Sequence, residues 1–308
     1  MTASQNSYKV SVCIPAYNYP HLLHRCLQSI VNQTYTNIEI VVTDDSNTNQ
    51  LQEVVEAFQD SRILYYKNEQ PLGSPANWNA AIKKASGDLI KILHHDDYFT
   101  HTNAIATFVN AFEQQPDILF WFSKHYNDFS GKKIESKLST KLVAKIEQFP
   151  SKLLLMNVIG APSVTMLHKE VVHHILFDEK THWMVDVIFY IDVLRQFRKI
   201  GFIQEPLVSI TAGSALQVTN TTNGIRKVEE NIYAYNRYHL FHSNKFSLVD
   251  SLYFTELIKR YALFQNNTWW EQLDKETQTV LQLSRKLAYL PVWYKLLALV
   301  RRIWVQYF

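Results

Sequence analysis

The chain has 308 residues, of which 47% are hydrophobic and 19% are charged, as in an ordinary globular protein. This length suffices for one large domain, or for one domain with an appendage. The formal net charge of +3 is too small to indicate nucleic-acid binding. The composition therefore favours a globular protein whose partners do not include nucleic acid.

The cysteines and the N-terminus favour an intracellular protein. Cys13 and Cys26 lie in apolar patterns without metal-ligand spacing, so we expect buried, reduced thiols. The opening MTASQNSYKV lacks the basic and then apolar layout of a signal peptide. No stretch of about 18 apolar residues is free of charge, so no transmembrane helix is expected. We predict a cytoplasmic location.

The first hundred residues alternate between strand and helix patterns. Short β-rich apolar runs predict strands at 10–14, 38–43, 62–66 and 88–93, and apolar stripes predict helices near 21–32, 51–58 and 75–85. Ser74 and Pro75 are expected as N-cap and first residue of the third helix. This alternation is typical of βαβ units in a mainly parallel sheet.

After residue 100 the pattern is more mixed. It predicts a helix at 102–113, a turn at 129–133, a helix at 183–199 and strands at 118–123, 163–168 and 202–210. Gly201 is expected to act as the C-cap of the helix at 183–199. From Gly224 onward the pattern predicts helices only.

Three polar segments follow predicted parallel strands, at 15–18, 44–46 and 94–97. Ligands of open α/β sheets bind beyond the carboxyl ends of the strands. Because the three segments converge at that edge, they predict a ligand site together more strongly than any one does alone.

The segment 94–97 reads HHDD at the end of the fourth strand. Successive strand side chains point to opposite faces, so His94 and His95 are not expected to bind one ion together. Asp96 and Asp97 either form a turn or cap before the next helix, or bind a divalent ion that a substrate diphosphate also contacts.

Asp44 and Asp45 offer a similar choice between an Asx-type turn and a nucleotide site. A carboxylate there can accept the N–H of a uracil-like base, and Tyr17 at the neighbouring strand end offers a flat face for stacking. Together these residues describe a nucleotide pocket.

Asp186 lies at an otherwise apolar helix start, HWMVDVIFY. One interpretation is a first-turn acid that the helix dipole favours. The other is a general base whose pKa burial raises, close to a reacting hydroxyl. The sequence leaves both open.

Taken together, these motifs resemble glycosyltransferase family 2, a family of inverting enzymes with the GT-A fold. The segments VSVCIPAYNYPHLLHRCLQSIVNQTYTNIEIVVTDDSNT and NEQPLGSPANWNAAIKKASGDLIKILHHDDYF are similar to its two N-terminal blocks. The resemblance extends over about 10–219. It implies an α/β protein whose mainly parallel central sheet is flanked by helices, with a helical C-terminal extension.

The resemblance also implies roles for individual residues. Donor-binding residues would be Pro15, Tyr17, Asn18, Asp44, Asp45, Asn79 and Asp96, with Tyr17 stacking on the base and Asp45 accepting a hydrogen bond from it. Asp97 would bind Mn²⁺ or Mg²⁺, and Asp186 would deprotonate the acceptor hydroxyl. Trp183 and Gly160 would lie on the acceptor side, although Gly160 is equally well explained as a loop glycine.

The sequence departs from the family pattern at three places. His94 stands where many members have an aspartate, and Val185 stands where many have a glutamate before the base. The segment TAGSALQVTN lacks a downstream histidine, for which Gln217 and Thr219 could substitute. These departures concern the metal and the diphosphate rather than the fold.

The C-terminal segment LPVWYKLLALVRRIWVQYF is apolar and basic, and no acidic residue follows Glu276. Lys295, Arg302 and Gln306 fall on one narrow helical stripe. The helix either packs on its neighbours or lies on an anionic membrane with Trp293 and Trp304 near the headgroups. We favour the membrane, because a lipid-linked acceptor would be found there.

The predicted protein is an inverting glycosyltransferase that uses a nucleotide-sugar, in particular a UDP-sugar, and a glycan or lipid-linked glycan acceptor. Residues 1–100 would form the nucleotide-sugar-binding half, 101–223 the acceptor-binding half and 224–308 the helical extension. Two alternatives are a catalytically silent nucleotide-sugar-binding protein and a sugar nucleotidyltransferase. The second usually needs a Gly-rich phosphate loop, which PAYNYPHLLHR does not provide.

Overall fold

The computed structural model describes residues 8–213, 222–241, 245–265, 268–291 and 294–307. The chain forms two compact units. The first comprises Met1–Gln148, Ile159–Lys180 and Phe189–Ser214, and the second comprises Phe149–Val158, Thr181–Ile188 and Ala215–Phe308.

The first unit contains one sheet, whose order is β3-β2-β1-β4-β8-β6-β9-β5 with β7 paired to β6. Strands β1 to β4 run parallel, β9 is parallel to β6, and the pairs β4–β8, β8–β6, β6–β7 and β9–β5 are antiparallel. The strands are β1 (Val10–Ala16), β2 (Ile38–Asp44), β3 (Ile63–Lys67), β4 (Leu89–Ile92), β5 (Tyr98–Phe99), β6 (Phe120–Phe129), β7 (Lys132–Glu135), β8 (Thr165–His168) and β9 (Gly201–Thr211). The predicted α/β fold with a central sheet is confirmed, but the sheet is mixed rather than mainly parallel, since four strand pairs of the described residues are parallel and four are antiparallel.

The helices alternate with these strands and then continue alone. They are α1 (Pro20–Val31), α2 (Gln50–Phe58), α3 (Ala76–Lys84), α4 (Ala104–Gln114), α5 (Thr140–Gln148), α6 (Lys152–Leu155), α7 (Lys169–His174), α8 (Val185–Phe197), α9 (Gly224–Arg237), α10 (Leu248–Arg260), α11 (Thr268–Glu271), α12 (Lys275–Ala288) and α13 (Tyr294–Tyr307). Short 3₁₀ segments lie at Pro162–Val164 and Leu263–Gln265. In the described residues after 224 only helices occur, as predicted.

The core of the first unit follows from the apolar pattern. Every residue of β1 and β2 is buried, as expected of central strands covered on both faces. Helix α1 turns one stripe toward the sheet and buries Leu23, Cys26, Leu27 and Ile30. The two cysteines are buried thiols, as predicted.

Two helix ends differ from the prediction. Helix α3 begins at Ala76 with Pro75 at the N-cap position and no side-chain cap, so Ser74 is not its N-cap. Helix α8 ends at Phe197, and Arg198, with a φ of 65°, takes the left-handed conformation expected of a C-cap glycine. Gly201 instead opens β9, where an added Cβ would lie 2.2 Å from the Trp121 ring.

The predicted turn at 129–133 is a β-hairpin turn. Strand β6 continues to Phe129 and β7 starts at Lys132. Ser130 and Gly131 have φ values of 52° and 98°, so both connecting residues are in the left-handed region that two-residue hairpins favour. Strand β6 extends beyond the predicted end at 123, and β7 was not predicted, because residues 124–135 are mostly polar and carry no regular apolar alternation.

The second unit consists of helices packed around buried aromatic side chains, which include Tyr235, Phe241, Tyr253, Phe254 and Trp269. Tyr235 and Phe254 make an edge-to-face contact with ring centroids 4.9 Å apart. None of the described helices is both long enough and apolar enough to cross a membrane.

Candidate functional site

The three polar segments at the strand ends lie next to one another in the first unit. The Asn18 N–H donates to Ser46 Oγ at 2.7 Å, and the Asp45 N–H donates to the Ala16 carbonyl at 3.0 Å. The His95 ring hydrogen-bonds to the backbone of Pro15. The convergence predicted from the order of the strands is therefore present.

The segment after β1 exposes one aromatic ring. Tyr17 is 50% exposed, which leaves its ring accessible for stacking. Asn18 and Tyr19 adopt left-handed φ values of 53° and 55°, and Pro20 then opens α1. Two successive left-handed residues without glycine are uncommon, so this turn is a specified local conformation.

Asp44 and Asp45 are buried acceptors within the loop network. Asp44 accepts hydrogen bonds from the Ser46 N–H at 2.7 Å and the Tyr65 hydroxyl at 2.6 Å, and it pairs with Lys67 Nζ at 3.0 Å. Burial raises the pKa of Asp44, but these hydrogen bonds outweigh burial and lower it. The Asx-type turn that the sequence allowed is thus made by Asp44.

Asp45 organises the segment before α3. Its Oδ1 accepts hydrogen bonds from Asn68 Nδ2 at 2.6 Å and the Leu72 N–H at 3.1 Å, and its Oδ2 accepts from the Gly73 N–H at 2.8 Å. Since two carboxylate oxygens offer about four acceptor positions, these bonds leave capacity for one further donor, such as a base N–H.

Helix α3 presents Asn77, rather than Asn79, to the strand ends. Asn77 Nδ2 donates to the Thr43 carbonyl at 3.2 Å, and its Oδ1 accepts from Asn68 at 3.0 Å. Asn79 is 2% exposed and bonds instead to the backbone of Phe177 at 2.9 and 3.0 Å. The structure therefore does not bring Asn79 together with the other donor-side residues, and its donor role stays a prediction.

The HHDD segment forms a turn directly after β4, in which the Asp97 N–H donates to the His94 carbonyl at 2.9 Å. Ligand atoms of His94, Asp96 and Asp97 lie within 4.8 Å of one another. Helix α4 has Asn103 at its N-cap position, so Asp96 and Asp97 do not cap it. Strand alternation does not predict His94 as a ligand together with these carboxylates, but β4 ends at Ile92, so that alternation does not extend to His94.

Asp97 is 2% exposed and fixed by two polar neighbours. Its Oδ1 accepts the Thr211 N–H at 2.9 Å, and it hydrogen-bonds to the side chain of Ser163. Burial and then the charge of Asp96 raise the pKa of Asp97. Ser163 Oγ also accepts the His94 N–H at 3.0 Å, which ties both ends of the turn to one hydroxyl.

Two cations border the turn. Lys91 is fully buried, and its Nζ donates to the backbone carbonyls of Ser163 and Thr165. Burial lowers the pKa of Lys91 to about 7, against the opposing effect of Asp97. Arg25 donates to the Asp96 carbonyl at 2.6 Å and lies 4.4 Å from the Tyr98 ring centroid. Both cations contact backbone rather than the two carboxylates.

The turn fits a hard divalent cation. Its donor set is one imidazole and two carboxylates, which suits Mn²⁺ or Mg²⁺ when a substrate supplies further oxygens. The Nε2 atom of His94 is buried without a hydrogen-bond partner in the described part of the chain. Burial lowers the pKa of His94, which keeps the imidazole neutral as metal binding requires.

Asp186 lies in the first turn of α8 and belongs to the second unit. Its Oδ2 accepts Asn157 Nδ2 at 2.7 Å, and its Oδ1 accepts the Val187 N–H at 2.8 Å. Burial raises the pKa of Asp186 to about 7. The neighbouring Val185 is buried, so no second carboxylate stands there.

The start of α8 is held by a residue that sequence patterns did not reveal. Glu230 of α9 accepts the backbone N–H groups of His182, Trp183 and Met184 at 3.0, 2.7 and 2.9 Å. The three N–H groups lie at and directly before the N-cap position of α8, where a carboxylate also suits the helix dipole. Trp183 is placed by this bond, while its acceptor-side role stays a prediction.

Gly160 has a conformational reason to be glycine. Its φ is 108°, and an added Cβ would lie 3.1 Å from His125 Cε1. Its carbonyl accepts the Tyr190 hydroxyl at 3.1 Å. The backbone conformation of the loop therefore explains why residue 160 is glycine, and contact of Gly160 with an acceptor stays a prediction.

Some predicted residues cannot be placed. Gln217, Thr219 and Trp293 lie outside the described residues, and so do the side chains of Trp304 and Gln306. In α13, Arg301 is 11% exposed at its side chain and pairs with Glu256 at 2.9 Å. The same helix exposes Leu296, Leu299, Val300 and Ile303 by 53, 52, 41 and 46%.

Known proteins share this sequence pattern and fold. The glycosyl transferase family 2 profile matches residues 11–176, more than half of the chain. WfaP of Escherichia coli, a UDP-Glc:alpha-D-GlcNAc-diphosphoundecaprenol beta-1,3-glucosyltransferase, is 35% identical over 117 residues. That match covers 38% of this chain and 46% of WfaP, so this chain spans less than half of that relative.

Two solved structures show the same fold. S. aureus TarS 1-349 in complex with UDP-GlcNAc matches with a TM-score of 0.62 and 14% identity, covering 97% of this chain and 92% of that one. A Pyrobaculum calidifontis mannosyltransferase in complex with GDP-Man and Mn²⁺ matches with a TM-score of 0.57 and 13% identity, covering 97% and 88%. By sequence and by its GT-A fold, the chain belongs to glycosyl transferase family 2.

Proposed function

We propose that the chain is an inverting glycosyltransferase that moves a sugar from a UDP-sugar to a hydroxyl of a glycan or lipid-linked glycan. The observation that carries this proposal is the cluster of His94, Asp96 and Asp97 at the edge where β1, β2 and β4 end. The names of the relatives support it, since WfaP uses UDP-Glc and a lipid-linked acceptor.

On the donor side, Tyr17 stacks on the base and Asp45 accepts a base N–H, while Asp96 contacts the ribose or the sugar. Asp97 and His94 hold Mn²⁺ or Mg²⁺. The bound ion supplies positive charge that stabilises the departing diphosphate. Thr211 and Ser163 keep Asp97 oriented, because both bond to its carboxylate.

On the acceptor side, Asp186 is the general base. A carboxyl group with a pKa of about 7 accepts a proton more readily than an ordinary aspartate. The acceptor oxygen bonds to the anomeric carbon as its proton passes to Asp186, and the bond from that carbon to the UDP oxygen breaks. Attack from the face opposite the leaving group inverts the anomeric carbon.

The C-terminal helix binds the cytoplasmic surface of a membrane. Its four half-exposed apolar side chains at 296, 299, 300 and 303 form an i, i+3, i+4, i+7 face. Five basic residues and no acidic residue follow Glu276, which favours anionic lipid headgroups. Peripheral binding would bring the enzyme to a lipid-linked acceptor in surface-polysaccharide synthesis, as for lipopolysaccharide or capsule.

The test is turnover of a panel of UDP-sugars with Mn²⁺, measured as release of UDP, with water or an added glycan as acceptor. We expect release with at least one donor, and its loss in both Asp97→Asn and Asp186→Asn. Asp117→Asn is the matched control, because Asp117 is a 62% exposed carboxylate paired with Lys199. Tight UDP binding without turnover of any donor would instead identify a silent binding protein.

A further inference from the structure

Arg25 of α1 contacts the HHDD turn at two places, although it has no role in the proposed function. Its Nη2 donates to the Asp96 carbonyl at 2.6 Å and to Thr211 Oγ1 at 2.6 Å. Its guanidinium carbon lies 4.4 Å from the ring centroid of Tyr98. Because Asp96 and Tyr98 flank Asp97 in the sequence, Arg25 contacts the residues on both sides of the proposed metal ligand.

Thr211, the last residue of β9, joins the same turn through its backbone and its side chain. Its N–H donates to Asp97 Oδ1 at 2.9 Å, and its hydroxyl donates to the Asp96 carbonyl. The hydroxyl also accepts the bond from Arg25, which its two acceptor positions allow. The guanidinium, the hydroxyl and the carbonyl therefore form a closed triangle, in which each group is hydrogen-bonded to the other two.

The aromatic ring beside Arg25 is itself held in place. The Tyr98 hydroxyl donates to Asp128 Oδ2 at 2.5 Å, and Tyr98 pairs with Ser209 of β9. All of these residues belong to the first unit. The guanidinium therefore packs on an aromatic face whose position is fixed, and this contact adds to the two hydrogen bonds in orienting Arg25.

The bonds of Arg25 leave the carboxylates of the turn to a cation. In the described part of the chain, Arg25 forms no ion pair with Asp96 or Asp97, since it donates to a carbonyl and to a hydroxyl. Its positive charge nevertheless opposes the binding of a metal ion nearby, because like charges repel. The bonds of Arg25 and its charge should thus have opposite effects on metal affinity.

We propose that Arg25 and Thr211 are positioning residues, which together hold the turn and the Asp97 carboxylate in the orientation that a divalent cation needs. This inference rests on the proposed function, in which Asp97 binds the ion. Hydrogen-bonding groups that orient metal ligands typically contribute about 10- to 100-fold to metal affinity. Because Arg25 and Thr211 bond to one carbonyl and to each other, the loss of either should weaken the site nearly as much as the loss of both.

The experiment measures binding of Mn²⁺ alone to the full chain by electron paramagnetic resonance, in which free Mn²⁺ gives the sharp signal. Thr211→Val keeps the backbone N–H that bonds to Asp97 and removes the hydroxyl, and we expect the Kd to rise about tenfold. Thr100→Val is the matched control, because the Thr100 hydroxyl donates to the Pro206 carbonyl of β9 at 2.7 Å, away from the turn. It should change the Kd less than about twofold.

Arg25→Met tests the sign of the effect. Loss of a charge that acted only by repulsion would tighten Mn²⁺ binding. We expect weaker binding instead, by about tenfold, and an intermediate Kd in Arg25→Lys, whose ammonium can still donate to the carbonyl and to the hydroxyl. Arg25→Met combined with Thr211→Val should bind within about threefold of either single variant, because both substitutions break the same triangle.

The outcomes separate this inference from the proposed function. Thermal melting without metal checks that each variant is folded. An unchanged Kd in Thr211→Val, or tighter binding by Arg25→Met, would overturn the inference and leave Asp97 as a ligand. A double variant about 100-fold weaker than wild type would also overturn it, because independent effects multiply. Absence of Mn²⁺ binding by wild type would overturn both the inference and the proposed metal site. The measurement uses no sugar donor, so a failure of UDP-sugar turnover would leave its result standing.

Discussion

Asp97 and Asp186 are both aspartates whose pKa burial raises, yet their surroundings differ. Asp97 has a second carboxylate and an imidazole within reach, and like-charge repulsion from Asp96 adds to the effect of burial. Asp186 bonds to the amide of Asn157, and burial is the largest cause of its shift. Asp97 therefore lies in a cluster of candidate metal ligands, whereas the described hydrogen bonds of Asp186 are with an amide and a backbone N–H.

This difference separates two kinds of chemistry. A cluster of charged oxygens has an unfavourable energy that a divalent cation relieves, so it is suited to holding a metal ion and a diphosphate. A lone carboxyl group with a pKa of about 7 gains and loses one proton near neutrality, so it is suited to proton transfer. The predictions below test whether the two roles separate.

The largest expected effect is that of Asp186→Asn on turnover. Loss of a general base typically lowers a rate by about 10²–10⁴-fold, and we expect roughly 10³-fold for transfer. Mn²⁺-dependent UDP binding should stay within about twofold of wild type. The wild-type rate should also fall below pH 7 in proportion to the ionised fraction, and that acid limb should be missing from the residual rate of the variant. Normal turnover by Asp186→Asn would show that Asp186 is not the general base.

Substitutions of the neighbouring residues His94 and His95 should differ in their effect on the Mn²⁺ dependence of UDP binding, and this effect is smaller. His94→Asn removes one proposed ligand, so the Mn²⁺ concentration needed for half-maximal UDP binding should rise by about tenfold or more. His95→Asn is the matched control, because the His95 ring bonds to the backbone of Pro15 and is not part of the cluster. Equal effects of the two substitutions would argue against His94 as a ligand.

Thermal stability should depend on pH through Asp186. Its carboxyl group ionises near pH 3.8 in an unfolded chain and near pH 7 in the folded protein. The unfolded state therefore loses this proton first, and the free energy of unfolding falls as pH rises from about 4 to 7. Asp186→Asn removes this loss of stability. The Tm of the variant minus the Tm of wild type should therefore be a few degrees larger at pH 8 than at pH 4.5. A Tm difference that does not change with pH would contradict the raised pKa.

The smallest effect concerns the C-terminal helix. Leu296→Ser with Leu299→Ser should lower binding to anionic vesicles by about three- to tenfold, because the two half-exposed leucines together lose roughly 1 kcal/mol of apolar burial. Leu64→Ser with Leu72→Ser is a matched control, since these leucines are 36 and 49% exposed in the first unit. A similar loss in the control pair would mean that α13 has no special part in membrane binding.

The sequence predicted the sheet and the meeting of the polar segments, because both depend on local periodicity. Consecutive apolar residues identify buried parallel strands, and the order of the strands then places 15–18, 44–46 and 94–97 at one edge. Helix ends were less predictable. Arg198 takes the left-handed conformation that was expected of a glycine at the end of α8. Gly201 is required instead because the Trp121 ring occupies the space that a Cβ would need.

The residues that the sequence did not reveal act over long distances along the chain. Glu230 bonds to backbone N–H groups 46 to 48 positions earlier, and Ser163 joins His94 and Asp97 from 66 to 69 positions later. The resemblance assigned a donor role to Asn79, but Asn77 is the residue that bonds at the strand ends, and two residues along a helix differ by about 200° in direction. Such assignments need the packed structure.

The most direct test is calorimetry of UDP binding, with and without Mn²⁺, in wild type, Asp97→Asn and Asp186→Asn. The account predicts that wild type and Asp186→Asn bind UDP at least tenfold more tightly with Mn²⁺, and that Asp97→Asn does not. Thermal melting of each variant checks that it is folded. UDP binding that is indifferent to Mn²⁺ in wild type, or that keeps its Mn²⁺ dependence in Asp97→Asn, would contradict the assignment of separate roles to the two aspartates.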